Sequence, residues 1–294
     1  MDEVRKVLFC VRANLSKWKR NPVVLSLALC WFSLIYDWCI PLTRFCFAVD
    51  ARITPWLFPF LMQPHAIIIY VVLLTLFFAH APFCNQHSPL TMIRMSKRTW
   101  FIGQVAYIAA ASLMATLFTL GSMLLVLAPW LGFSINWGGV LQSLAEHTIR
   151  LEDYGLQMKA GPYLPLMVEY GPLEATVQTL LLTWLTGTLV GCIVLFFNIL
   201  IRPGAGVVAG VLAITATGFT YMGAIVLPDG WNGRILEKLG ILFWMNLMTL
   251  QPMNSHGVTI GVATVVQLSL IVVFVVLSTV LFCRRDTVFE NDSF

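Results

Sequence analysis

Six stretches of this 294-residue chain are apolar without interruption for the length of a membrane crossing: Val23–Ile40, Trp56–His80, Trp100–Trp130, Ala175–Ile201, Gly204–Pro228 and Val258–Cys283. A hydrocarbon core of roughly 30 Å takes about 20 helical residues to cross. The first stretch contains one acid, Asp37, and the other five contain no Asp, Glu, Lys or Arg. Backbone groups in lipid must be hydrogen-bonded within the protein, which leaves helices or closed barrels. Runs of this length without period-two alternation select helices. The pattern therefore predicts a single all-α polytopic membrane domain over 1–294 with six transmembrane helices.

Ahead of the first span, Val4, Val7, Leu8, Val11, Leu15 and Trp18 recur at helical spacing, while Arg5, Lys6, Arg12, Lys17, Lys19 and Arg20 fall on other faces. This predicts an amphipathic interfacial helix over 1–21 lying on the bilayer, where each basic residue near anionic lipid contributes roughly 1 kcal/mol. Asn21-Pro22 ends it, because the residue before a proline is disfavoured in the helical region. The charged, helical start lacks the short apolar region and small-residue cleavage site of a removable signal, so none is expected.

The remaining segments divide by charge. With six spans both termini share a side. If that side is cytoplasmic, the inner segments hold Arg5, Lys6, Arg12, Lys17, Lys19, Arg20, Arg94, Lys97, Arg98, Arg202, Arg284 and Arg285. The outer segments hold Arg44, Arg52, Arg150, Lys159, Arg234 and Lys238 and a larger number of acids, so the positive-inside bias predicts N-in, C-in with a cytoplasmic tail over 284–294. The long outer loop 131–174 is punctuated by Gly161-Pro162, Leu164-Pro165 and Gly171-Pro172, with a surface helix expected over Val140 to Leu151. The apolar run Ile241–Leu250 is too short to span and reads as a re-entrant or interfacial segment before the last helix.

Between spans two and three, Ser88-Pro89 is a helix-start signal, a capping hydroxyl followed by proline at the first helical position. Leu90 and Ile93 would share one side of that short helix, with Arg94, Lys97 and Arg98 near the phosphate level. Such a helix can dock in a partner's groove. Gly187-x-x-x-Gly191 and Gly206-x-x-x-Gly210 are expected to let neighbouring spans approach closely.

Composition, with 59% hydrophobic and 11% charged residues against the usual quarter charged, leaves no room for a soluble domain. The chain has no G-x-x-x-x-G-K-[ST] phosphate loop, H-E-x-x-H or G-x-S-x-G, and its five histidines are isolated from one another. Its seven cysteines lack metal-type spacing. No enzyme active site, metal centre or bound cofactor is expected, and a nucleic-acid partner is not. Among polar residues within the spans, Asp37 is the most costly to hold in lipid. With Gln104 and Asn198 it forms the set of candidate pathway or interface residues.

The interfacial helix, the Arg20-Asn21-Pro22 turn, the six spans with both ends inside and the Ser88–Gln104 connection into the third span together resemble ABC-2 type transporter permeases. The stretch Lys97-Arg98-Thr99-Trp100-Phe101-Ile102-Gly103-Gln104 is similar to that family's approach to its third span. The resemblance implies an exporter permease in a bacterial plasma membrane, paired with a second permease copy or paralogue. ATP and Mg would be held by separate ATP-binding cassette subunits. It makes Ser88, Pro89, Leu90, Ile93, Arg94, Lys97 and Arg98 the coupling helix, and Val4, Leu8, Val11, Leu15 and Trp18 part of an elbow helix. Two competing readings stand beside it: a self-sufficient channel or secondary transporter using Asp37, and a membrane sensor or anchor subunit that transports nothing.

Overall fold

The computed structural model describes residues 3–83, 95–158, 161–226, 235, 238–255 and 257–284. Among them the chain is helical and has no strands, with two isolated bridges, Ile53 to Leu131 and Gln251 to Thr259. Helix α1 (Glu3–Ser16) runs into a 3-10 turn (Lys17–Arg20) and stops at Asn21. Asn21 is extended and its side chain accepts from the Val23 amide at 3.0 Å, and Pro22 opens the next helix, so this boundary is built from local chemistry. Helix α2 (Pro22–Val49) continues beyond Ile40, through Pro41, and closes at Asp50 in the left-handed conformation.

The second apolar stretch is divided. A four-residue turn of helix, α3 (Phe58–Leu61), is followed by Met62 and an extended Gln63 before α4 (Pro64–Phe77) begins. Pro64 cannot donate a backbone N–H and forces its predecessor out of the helical region, so Trp56–His80 is not one continuous helix. At 1.5 Å per residue the 14 residues of α4 rise about 21 Å.

Helix α5 (Lys97–Leu127) extends through a 3-10 turn to Trp130. The following loop carries α6 (Gly139–Ala145), which is shorter than the expected 140–151 helix and is followed by a separate 3-10 turn at Leu151–Tyr154, and then α7 (Leu164–Glu169). Helices α8 (Pro172–Leu200), α9 (Ala205–Val226) and α10 (Ile260–Arg284) complete the bundle. Among the described residues, five helical segments are long and apolar enough to cross a membrane: Pro22–Val49, Lys97–Trp130, Pro172–Leu200, Ala205–Gly223 and Ile260–Arg284.

Helix α8 is the hub: 67% of its most apolar window is buried, against 11% for α10, and it packs on α4, α5, α9 and α10. Small residues permit that centrality. A Cβ at Gly191 would meet Ile108 and the Phe78 ring, and one at Gly206 would meet the Val194 carbonyl oxygen, a backbone atom that cannot swing away. The buried threonines of α8 return their hydroxyls to the preceding turn, as Thr179 does to the Ala175 carbonyl and Thr183 to that of Thr179.

The Ile241–Leu250 run forms two 3-10 turns (Ile241–Met245 and Leu247–Thr249), the first of them wedged against α4, α8, α9 and α10. Phe243 stacks on Tyr221 with ring centres 4.8 Å apart, and Gln267 of α10 donates to the Ile241 carbonyl and to Thr186. Leu242, Phe243, Trp244, Met245 and Leu250 are buried, so irregular backbone here is sheltered by protein.

Candidate functional site

A chain of specific polar contacts joins α1 to the first three turns of α5. Ser96 caps α5, its hydroxyl accepting from the Thr99 amide at 3.1 Å. The Thr99 hydroxyl lies 2.6 Å from that of Ser96 and donates to Glu3 Oε2, while Lys6 Nζ donates to Glu3 Oε1 at 2.7 Å. The hydrogen bonds from Lys6 and then Thr99 hold the Glu3 carboxyl below the ordinary carboxylate range. One turn further along α5, Gly103 admits Cys10 so closely that a Cβ there would lie 2.6 Å from the Cys10 Cβ. Burial pushes the Cys10 thiol up.

Next, Asn14 Nδ2 donates to Gln104 Oε1 at 2.9 Å, with both residues buried, and Asn14 Oδ1 accepts from Lys17. Finally Trp18 Nε1 donates to the Tyr107 hydroxyl at 2.8 Å, and its ring meets Phe77 edge-on. The contact covers 3–18 of one helix and 99–107 of the other, so α1 crosses α5 obliquely. It buries a face of small and polar residues, whereas Val4 and Leu8 of the predicted apolar stripe are exposed. Val11 and Leu15 are half-buried against the core. The helix is three-sided, with a docking face, an exposed apolar stripe and a basic edge at Arg5 and Arg12.

Two further elements close on the same place. Phe282, near the end of α10, stacks on Trp100 and Phe101 with ring centres at 5.6 and 5.1 Å. Phe83, the last described residue before the connection to α5, packs its ring on Tyr107 at 4.8 Å. Asn198 fixes the approach to Phe83: its amide donates to the carbonyls of Ala79 and Ala81 at 2.9 and 2.8 Å, and its carbonyl accepts from the Gly204 and Gly206 amides. Each hydrogen-bonding group of this buried side chain is therefore used.

The candidate residues fall into three groups. Ser88, Pro89, Leu90, Ile93 and Arg94 lie outside the described residues. Lys97 and Arg98 form the exposed first turn of α5, separated from that segment by the non-helical Met95 and Ser96. Gln104 and Asn198 are buried clamps, while Asp37 is exposed on α2 and is not brought to either. Glu3, Cys10, Asn14, Ser96, Thr99, Gly103, Tyr107 and Phe282 complete the junction, and none of them was among the candidate site residues. Of these only Ser96 and Thr99 carried a local signal, the spacing of a helix cap. Among the described residues, no group of three His, Cys, Asp or Glu side chains could hold a metal ion.

The helices and this junction define an all-α chain of membrane-protein character. Comparison with protein-family models, curated proteins and solved structures finds no match.

Proposed function

We propose that this chain is the permease subunit of an ATP-binding cassette transporter of the ABC-2 type, exporting a substrate across a bacterial plasma membrane as a pair of permeases. ATP and Mg are bound and turned over by a separate ATPase subunit. The observation that supports this reading is the double anchorage of the 84–94 connection. It leaves the bundle at Phe83, packed on Tyr107, and rejoins it at Ser96, capping the same helix. A force applied to that connection is delivered to the first three turns of α5.

From there the load passes to α1 through Glu3, Asn14 and Trp18 and to α10 through Phe282, while Asn198 of α8 holds the Ala79–Ala81 approach to the connection. Polar contacts at fixed geometry and close helix packing make these elements move together rather than deform singly. ATP binding on the partner would bias the bundle between two packings by its differential affinity for them. In this reading Leu90 and Ile93 seat in the partner, Arg94, Lys97 and Arg98 sit at the phosphate level, and α1 is the elbow helix.

The test is purification of the full chain in mild detergent from its native membrane, followed by an ATPase assay. A nucleotide-hydrolysing chain should co-purify, and Leu90→Glu with Ile93→Glu should release it or uncouple its activity from transport. Absence of any such chain, with transport surviving the double substitution, would sink the proposal.

A further inference from the structure

A cleft of about 260 Å³ lies between α2, α4 and α5, bounded by Leu27, Ala28, Trp31, Leu73, Ala115 and Phe118. Its few polar lining atoms are already engaged elsewhere. Trp31 Nε1 donates to the Thr119 hydroxyl at 2.9 Å, Tyr70 shares a hydrogen bond with Thr116, and Trp18 Nε1 is committed to Tyr107. A polar ligand would find nothing to bond, and water would find no partners. The chemistry of the walls therefore selects an apolar guest.

The cleft's two ends differ. Met114 and Phe118 on its wall are exposed, so it opens sideways to whatever surrounds the spans. Along α2 the lining runs from Trp31 back through Val24, about 10 Å at 1.5 Å per residue, to Trp18 in the Lys17–Arg20 turn. Lys19 and Arg20 of that turn are exposed beside it, at the level where tryptophan marks the bilayer interface. An apolar slot whose lining ends at Trp18, with two exposed cations next in the chain, is complementary to one class of molecule, an acyl chain carrying a phosphate head.

We infer that the cleft between α2, α4 and α5 holds one acyl chain of an anionic phospholipid, whose phosphate is held by Lys19 and Arg20. The lipid chain packs beside the direct contacts that Trp31 of α2 makes with Thr119 of α5 and Tyr70 of α4. This rests on the membrane-spanning reading of the chain and is independent of the ATPase partner.

The full chain is reconstituted into vesicles with a phosphatidylglycerol or a phosphatidylcholine probe that carries a photoreactive group on its acyl chain, and the labelled residues are mapped by mass spectrometry. With phosphatidylglycerol, labelling of Leu27, Leu73 and Phe118 should exceed that of the exposed Val272 and Val276 of α10. The excess should be roughly five- to thirtyfold, the attraction of one to two basic residues. Ala115→Phe fills the slot and should remove the excess. Lys19→Gln with Arg20→Gln, on an exposed turn where folding is not at stake, should reduce it to the phosphatidylcholine level. Uniform labelling of all lipid-facing helices, or an excess indifferent to headgroup, overturns the site. Absence of label from every helix overturns the membrane reading itself, a result distinguishable from either.

Discussion

Replacing Gln104 by leucine should undock α1 from α5, and the size of the effect follows from the hydrogen bonds at that position. Gln104 and Asn14 are both buried, and Nδ2 of Asn14 has Gln104 Oε1 as its acceptor at 2.9 Å. The substitution keeps comparable bulk but leaves that amide donor without its acceptor. An unsatisfied buried donor costs about 1–3 kcal/mol, which multiplies the undocked population by about 5- to 150-fold. Cys10 reports on it directly, because its side chain is enclosed against Gly103 in the docked state. In a chain with Cys10 as its sole cysteine, the rate of maleimide alkylation should rise by that factor in Gln104→Leu.

Asn14→Leu combined with Gln104→Leu removes both partners at once and should return most of the loss, since paired apolar replacement is close to neutral. A rise of less than about twofold, below the floor of that range, would mean that the hydrogen bond does not hold the helix. So would a wild-type Cys10 already as reactive as a cysteine on an exposed face. Either result would also weaken the transmission route proposed from the 84–94 connection, because α1 would then be a passive passenger.

Gly103→Ala should undock α1 by overpacking, at about 1–3 kcal/mol, and Cys10→Gly but not Cys10→Ser should rescue it, because the clash is with the Cys10 Cβ; hydrogen exchange of the α1 amides reads both. The protection of the α1 amides, after correction for the intrinsic exchange rate at each pH, should fall as pH drops through and below the ordinary carboxylate range. The lowered Glu3 pKa gives a contribution present above that range and lost on protonation; Thr99→Val should reduce this pH dependence and leave the part due to the Lys6 hydrogen bond. Asn198→Leu strips partners from two carbonyls and two amides and should prevent accumulation of folded protein, as judged by detergent size-exclusion chromatography. Asp37→Asn, on an exposed position of α2, should leave folding and transport unchanged; loss of ion-coupled transport with intact assembly would favour the secondary-transporter reading.

Several features were legible because their causes are local. Nearly charge-free runs of membrane length marked the five helices long and apolar enough to cross a membrane, and the Asn21-Pro22 boundary is made by the cap and the proline themselves. The break at Gln63-Pro64 was equally local, yet the apolar residues on both sides masked it in a reading based on length and charge. The Ile241–Leu250 run was read as too short for a span, and it forms two 3-10 turns. That it would be buried among α4, α8, α9 and α10 depended on Tyr221 and Gln267, which approach it from distant helices.

The roles of the polar residues were decided by the tertiary structure alone. Gln104 and Asn198 were conspicuous as costly groups in apolar surroundings, and the sequence could price them without saying what they bond. Asn14 lies 90 positions from Gln104, and no periodicity links the two. The face that α1 turns to α5 was likewise not legible from its apolar stripe: the close-packed junction takes the small side chains of Cys10 and Gly103, and Val4 and Leu8 stay exposed. Hydrophobic length is a property of each segment by itself and fixes what crosses lipid. Which polar groups meet is a property of pairs, and only the folded bundle brings them within hydrogen-bonding distance.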